Sequence, residues 1–177
     1  MKKIYVDAND IMNDSFELAK KMHKSGYIPD DIIGVLEGGL IPAFYIKQYF
    51  DLMEKNIKEY LIPTKKEKSV NLKMIGLIQS EINKDIKSKR NILLVDDIIR
   101  TGHTLENIIK NLKSNMKEIK IATIYYNLEN HNAKVKPDFY LHGYKKEDFV
   151  IFPYKLKELG LEDIKQINNN LYNILTT

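Results

Sequence analysis

The chain has 177 residues, a formal net charge of +4 and no cysteine. This length can bury one hydrophobic core, and the absence of cysteine excludes disulfides, thiolate metal sites and a cysteine nucleophile. Only Arg90 and Arg100 among its 28 basic residues are arginine, fewer than nucleic-acid readers usually need, and no apolar run is long enough for a membrane span. We therefore expect one cytoplasmic domain over residues 1–177 that binds neither nucleic acid nor membrane.

The first half of the chain predicts two helices and two strands. Residues 9–24 place apolar side chains at helical spacing and end at the turn "SGYIPDD". The run "DIIGVL" (31–36) predicts a buried strand, and "EGGLIPAFYIKQYF" (37–50) predicts a glycine turn that leads into a helix. "IKEYLIP" (57–63) predicts the next strand, and the polar run 64–71 has no periodicity and predicts a loop.

The second half repeats the alternation of strand and helix. "NILLVDD" (91–97) predicts a strand covered on both faces, and residues 105–112 carry apolar side chains at helical spacing. "EIKIATIYYN" (118–127) predicts a further strand, residues 137–154 are aromatic-rich and loop-like, and residues 161–175 predict one final amphipathic helix. Strands alternating with helices predict an α/β fold with a largely parallel sheet.

Two adjacent carboxylates, Asp96 and Asp97, end the third predicted strand, and a Thr-Gly turn at 101–102 separates them from the next helix. Ligands of open α/β sheets bind beyond the carboxyl ends of the strands. Unpaired amides at a helix start, here at 103–105, bind phosphate well. Carboxylates accept hydrogen bonds from vicinal hydroxyls or support a metal. Together these groups suit a phosphorylated ribose.

Three stretches resemble one family in its own order, over nearly the whole chain. "ILLVDDIIRTGHTL" (92–105) resembles the phosphoribosyl-diphosphate (PRPP) motif of the type I phosphoribosyltransferases, and "VLEGGLIPA" (35–43) resembles their pyrophosphate loop. "KPDFYLHGYKKEDFVIFPY" (136–154) resembles the hood of the xanthine/guanine/hypoxanthine branch and its archaeal-type relatives. The resemblance implies the type I phosphoribosyltransferase fold, a mostly parallel twisted sheet flanked by helices. Its core would span about 25–142, and a small hood would comprise the N-terminal segment and about 143–160.

The resemblance also implies a reaction and a set of contacts. A phosphoribosyltransferase of this branch transfers 5-phosphoribosyl from PRPP to hypoxanthine, guanine or xanthine in purine salvage, releases pyrophosphate, uses Mg²⁺ and forms a homodimer or higher homo-oligomer. Asp96 and Asp97 would be catalytic at the ribose hydroxyls and could ligate the metal, largely through the substrate. The other implied substrate contacts are Thr101, Gly102, His103 and Thr104 for the 5'-phosphate, Glu37, Gly38 and Gly39 for pyrophosphate, Lys65 and Lys66 in a lid at 64–71, and Asn127, Phe149 and Val150 for the base.

Three residues depart from the family's pattern. Arg100 replaces an acid proposed to handle the purine's proton; it cannot act as a general base, but it could hold a phosphate or an anionic acceptor, so we keep it as a catalytic candidate. Glu37 stands where the loop often carries Arg or Lys, and would repel pyrophosphate unless Mg²⁺ intervenes or the side chain turns away. Asn127 aligns with a lysine that donates to the purine's exocyclic oxygen, and it can donate only without charge assistance.

Purely structural roles remain open for some of these residues. Phe149 could be a core residue, Arg100 an exposed turn residue, and the run 64–71 a solvated loop. The departures also leave room for a non-catalytic PRPP-binding regulatory protein. An unrelated phosphate-binding hydrolase is less favoured, because the histidines have no Ser or Cys partner motif and no metal-ligand spacing.

Overall fold

The structure is a computed structural model that describes residues 2–64, 71–83, 90–112, 116–131, 133–156 and 159–177. Within these ranges the elements are, in chain order, β1 (Lys3–Tyr5), α1 (Ala8–Lys24), β2 (Asp31–Leu36), α2 (Leu40–Leu52), β3 (Lys58–Pro63), α3 (Leu72–Asn83), β4 (Arg90–Ile99), α4 (His103–Asn111), β5 (Met116–Asn127), β6 (Phe139–Tyr144), β7 (Phe149–Ile151), α5 (Leu161–Ile167) and α6 (Asn169–Thr176). None of the helices in the described ranges combines the length and the apolar character needed to cross a membrane.

The main sheet has five parallel strands in the order β3-β2-β4-β5-β6. One apolar cluster fills the space under α3 and α4, with Ile78 and Ile108 among its members. A second cluster fills the other face under α1 and α2, with Leu18 and Phe50 among its members. The continuous apolar strands are therefore buried on both sides, as a parallel sheet requires, and the predicted α/β fold is confirmed.

A separate two-stranded parallel sheet joins the N-terminal segment to the chain that follows β6. Its strands are β1 and β7, and Ile4 pairs with Val150. A third apolar cluster, which includes Ile11 and Phe152, packs beneath this pair. The N-terminal segment is thereby tied to the chain that follows β6; the division into a core and a hood stays a prediction.

Two sequence predictions for the C-terminal region are wrong. The stretch 137–154, expected to be loop-like, contains β6 and β7, because aromatic and β-branched residues find strand partners there. The single final helix is divided at Asn168, whose extended backbone ends α5 and whose side chain accepts a hydrogen bond from Leu171 N (3.0 Å) at the start of α6. The apolar spacing continues across this break, so periodicity alone does not reveal it.

Candidate active site

Strand β4 carries the two adjacent carboxylates and continues past the predicted strand end at Asp97 to Ile99. Alternate residues of Ile92–Val95 pack against the α3/α4 layer and the α1/α2 layer. This alternation puts Asp96 on the side of α4 and Asp97 on the side of α2. Asp96 is partly exposed and lines a cleft of about 200 Å³ with residues 98–105, whereas Asp97 is only 2% exposed. The two acids therefore have different surroundings.

Asp96 is held in an electrostatically unfavourable position. Burial raises its pKa well above the ordinary value, and the neighbouring charge of Asp97 adds to the rise. The Asp97 amide donates a hydrogen bond to Asp96 Oδ1 (3.0 Å), and this bond and the charge of Lys155 partly oppose the shift. A cation or a hydroxyl donor in the cleft would stabilise the ionised carboxylate.

Asp97 is satisfied from within the protein. Its Oδ2 atom accepts hydrogen bonds from Tyr154 Oη (2.9 Å) and from Lys155 Nζ (2.7 Å). Burial, followed by the charge of Asp97, raises the pKa of Tyr154, so this phenol remains protonated and can donate. The sequence alone gives no role to Tyr154 or Lys155, because nothing in the local pattern links them to a carboxylate on β4.

The glycine turn after β2 packs directly on Asp97 and on β4. A Cβ atom on Gly38 would lie 2.3–2.5 Å from atoms of the Asp97 carboxylate, and one on Gly39 would lie 2.2 Å from Val95 O. No side chain therefore fits at either position without movement. The Gly39 amide donates to Val35 O (2.7 Å) and is already used inside the protein, which limits the predicted role of this amide towards pyrophosphate.

Helix α4 begins at the predicted phosphate loop. Gly102 precedes it with left-handed backbone angles (φ 74°, ψ 3°), and a Cβ there would also lie 2.7 Å from Val135 Cγ2. No side chain in the described ranges caps the helix start. The first amides of α4, with the Thr101 and Thr104 hydroxyls beside them, therefore line the 200 Å³ cleft as donors suited to a phosphate.

A second cleft, of about 500 Å³, adjoins the first. The two share Arg100 and Thr101 in their walls, and Asn127 and Phe149 line the second. Phe149 is half-buried, and the Arg100 Cζ atom lies 5.5 Å from its ring centroid. The Asn127 side chain is buried, and its Oδ1 atom accepts from Glu129 N (3.0 Å), which leaves its amide nitrogen as the donor for a ligand.

The remaining predicted site residues are buried, exposed or outside the described ranges. Val150 is 2% exposed and packs in the third apolar cluster, outside the walls of both clefts. Glu37 is exposed on the glycine turn, and His103 is exposed at the start of α4. Lys65 and Lys66, with most of the predicted lid, lie outside the described residues.

Known proteins share this architecture. The sequence model of the phosphoribosyl transferase domain family matches residues 3–159, and no curated protein matches the chain in sequence. A purine phosphoribosyltransferase from Pyrococcus horikoshii is similar in structure, with 28% identity, 87% of this chain and 94% of that chain covered, and a TM-score of 0.63.

Two further solved structures share the fold. The Helicobacter pylori xanthine-guanine-hypoxanthine phosphoribosyltransferase has 21% identity, coverage of 93% of this chain and 99% of that chain, and a TM-score of 0.63. A protein from Neisseria gonorrhoeae with bound ppGpp has 20% identity, coverage of 86% and 89%, and a TM-score of 0.67. These matches confirm the resemblance seen in the three motifs. Since the family model spans nearly the whole chain, this protein belongs to the phosphoribosyl transferase domain family and is an enzyme of the glycosyltransferase type.

Proposed function

We propose that the protein transfers the 5-phosphoribosyl group of PRPP to a ring nitrogen of a purine, most simply hypoxanthine, guanine or xanthine, and acts in purine salvage. One observation carries the proposal: two clefts of different character meet at Arg100 and Thr101. The first has a carboxylate and an uncapped helix start, which suit a phosphorylated ribose. The second has an aromatic ring and an amide, which suit a planar base. The purine phosphoribosyltransferase from Pyrococcus horikoshii, at 28% identity, supports a purine acceptor.

The ribose and its phosphate would bind along the end of β4. The amides of residues 103–105 and the threonine hydroxyls would hold the 5'-phosphate, and Asp96 would accept hydrogen bonds from the ribose hydroxyls. Asp97 would act indirectly, because its carboxylate is bonded to Lys155 and supports the glycine turn. Catalysis would then depend on positioning and on electrostatic stabilisation of the developing charge.

Magnesium fits this site as a partner of the substrate. The described residues contain no group of three or more acidic or histidine side chains that could hold a metal alone. Mg²⁺ usually binds through one or two carboxylates together with substrate phosphates. Asp96 would be the protein ligand, since burial and the charge of Asp97 disfavour its ionised form without a cation; Asp97 Oδ2 already accepts two hydrogen bonds. A bound ion would offset the charge of the pyrophosphate beside Glu37.

The base would bind between Phe149 and Asn127. Its ring would stack on Phe149, where the exposed Arg100 side chain lies and could move aside. The Asn127 amide would donate to a carbonyl oxygen of the base, and Val150 would offer only its backbone. Lys65 and Lys66 would belong to a lid that excludes water. A homo-oligomeric state and a cytoplasmic location complete the proposal, and light scattering and cell fractionation would test them.

The decisive experiment is a turnover assay with PRPP, Mg²⁺ and single bases: hypoxanthine, guanine, xanthine, adenine and pyrimidines. Pyrophosphate release and nucleotide formation are followed together. We expect one or more oxopurines to form a nucleotide. Asp96→Asn should reduce turnover by about 100-fold, as for loss of one electrostatic contact in an active site, without a loss of stability, and the surface variant Lys110→Met should behave as wild type. PRPP binding without turnover on any base would favour the regulatory alternative, and absence of PRPP binding would refute the proposal.

A further inference from the structure

Tyr144 lines the second cleft and carries a buried hydroxyl. The residue is 6% exposed and lines the cleft beside Asn127 and Phe149. Its Oη atom is buried and has no hydrogen-bond partner among the described residues. An unpaired buried hydroxyl opposes folding, and phenylalanine would place the same ring in the core without that penalty. A ligand in the cleft that hydrogen-bonds to the hydroxyl would remove that penalty.

The surrounding structure holds Tyr144 in a fixed position next to Asn127. The two residues are register partners at the carboxyl ends of β6 and β5, so their side chains lie side by side. Leu128 N donates to Tyr144 O (3.2 Å) just beyond this pair. The Tyr144 ring packs in the apolar cluster that contains Val150 and Phe152, which fixes the position of the hydroxyl.

The hydroxyl of Tyr144 keeps its proton at neutral pH. Burial raises the pKa of Tyr144 to about 12, the charge of Arg100 opposes the rise, and the charge of Asp97 adds to it. Arg100 belongs to the walls of both clefts, and Asp97 lies under the glycine turn. At neutral pH the group is a phenol that can donate one hydrogen bond and accept others.

We propose that Tyr144 is a specificity-determining residue whose hydroxyl hydrogen-bonds the edge of the acceptor base beside the Asn127 amide. The inference rests on the proposed function. Since Asn127 Oδ1 accepts from Glu129 N, its amide nitrogen is the donor of the pair, and Tyr144 adds a group that can accept. A base edge with a carbonyl oxygen next to a ring N–H matches both. In a base with an amino group next to an unprotonated ring nitrogen, the amino group would face the Asn127 amide nitrogen. Both groups are donors, so no hydrogen bond forms between them.

The test compares two variants that lose the same atom. Tyr144→Phe removes the hydroxyl in the cleft. Tyr60→Phe removes another buried hydroxyl without a partner in the described part of the chain, on β3 and outside both clefts. Each variant is measured for Tm and for kcat and KM with hypoxanthine, adenine and PRPP.

We expect both variants to be as stable as wild type or more stable. Tyr144→Phe should lower kcat/KM for hypoxanthine by about tenfold, the equivalent of one hydrogen bond. The loss should appear mainly as a higher KM for hypoxanthine, and the KM for PRPP should not change. The ratio of kcat/KM for hypoxanthine to that for adenine should decrease. Tyr60→Phe should leave all these constants as in wild type.

The other outcomes separate the two proposals. If Tyr144→Phe matches Tyr60→Phe in kinetics while the wild type forms nucleotide, the role of Tyr144 is overturned and the proposed function stands. A clear loss of Tm in Tyr144→Phe would show that the hydroxyl has a folding partner and would also overturn it. If the wild-type protein forms no nucleotide from any base, the proposed function fails and this inference fails with it.

Discussion

Replacing Lys155 with methionine tests whether the pair beneath the glycine turn is a buried ion pair. The substitution keeps a long unbranched side chain and removes the charge that lies 2.7 Å from Asp97 Oδ2. Asp97 is 2% exposed, so water cannot readily replace the lost ammonium group. The neutral hydroxyl of Tyr154, at 2.9 Å, still donates to the same oxygen. A buried carboxylate is then left with a much weaker partner.

The expected loss of stability in Lys155→Met depends on how deeply the ion pair is buried. Removing one partner of a buried pair costs about 3–5 kcal/mol. The Lys155 side chain keeps 21% of its exposure, so water screens part of the interaction, and we expect a loss of about 2–4 kcal/mol. Lys110 is the matched control: its Nζ atom also lies 2.7 Å from a carboxylate oxygen, that of Glu106, but its side chain is 65% exposed. Lys110→Met should leave stability unchanged within error.

Urea unfolding at neutral pH, followed by circular dichroism, measures both changes. Asp97→Asn in the Lys155→Met background should recover much of the loss, because it removes the uncompensated charge, and the four proteins form a double-mutant cycle. If Lys155→Met costs no more than Lys110→Met, Asp97 is hydrated in solution, and the argument that it is a buried support for the turn is wrong.

Three further predictions concern glycines and a partly buried acid. Gly102→Ala should lower the free energy of unfolding by about 1–2 kcal/mol for the left-handed backbone, and by a further amount for the clash of the added Cβ. Gly26 also has a left-handed backbone (φ +80°), but a Cβ there meets nothing within 4 Å. Gly26→Ala should therefore show the backbone cost alone when both variants are measured by urea unfolding. Gly38→Ala should reduce turnover in the PRPP assay, since its Cβ would overlap the Asp97 carboxylate, and normal turnover would contradict the packing described. Burial raises the pKa of Glu59, so ionisation of this side chain opposes folding above the unfolded-state pKa. The Tm of Glu59→Gln should therefore rise relative to that of wild type as pH increases from about 4 to about 7. A difference in Tm that does not change with pH would contradict this.

Four strands of the main sheet, β2 to β5, could be predicted because each is a self-contained signal, whereas β6 lies in the aromatic stretch that was expected to be loop-like. The runs "IIGVL" in β2 and "ILLV" in β4 are apolar throughout, and each is followed by a turn and a helical pattern. Strands β1 and β7 have three residues each, too few to show a period of two. They form because Ile4 and Val150 find each other across the fold, and pairing of distant segments leaves no local mark.

The candidate site also contains residues with a local sequence signal and residues without one. The predicted phosphate loop is a local signal, because its residues are contiguous from Asp96 to Thr104. Lys155 has no local signal because its partner, Asp97, lies 58 positions away in sequence, and Tyr144 has none because its position beside Asn127 depends on the pairing of two strands. Strand alternation predicts the different surroundings of the two acids: adjacent residues in a strand face opposite sides, so Asp96 and Asp97 could not both line one cleft if the strand continued beyond them.

The alternation of the two acids lets one short sequence meet the two needs of the proposed site. A ribose site needs a carboxylate that is accessible and incompletely satisfied, and Asp96 has these properties. A glycine turn that must lie against β4 needs a fixed partner, and Asp97 is fixed by Tyr154 and Lys155. Lys155 acts on both acids, since its charge pairs with Asp97 and also lowers the pKa of Asp96. The lysine on the segment after β7 therefore links the packing of the turn to the ionisation of the cleft carboxylate.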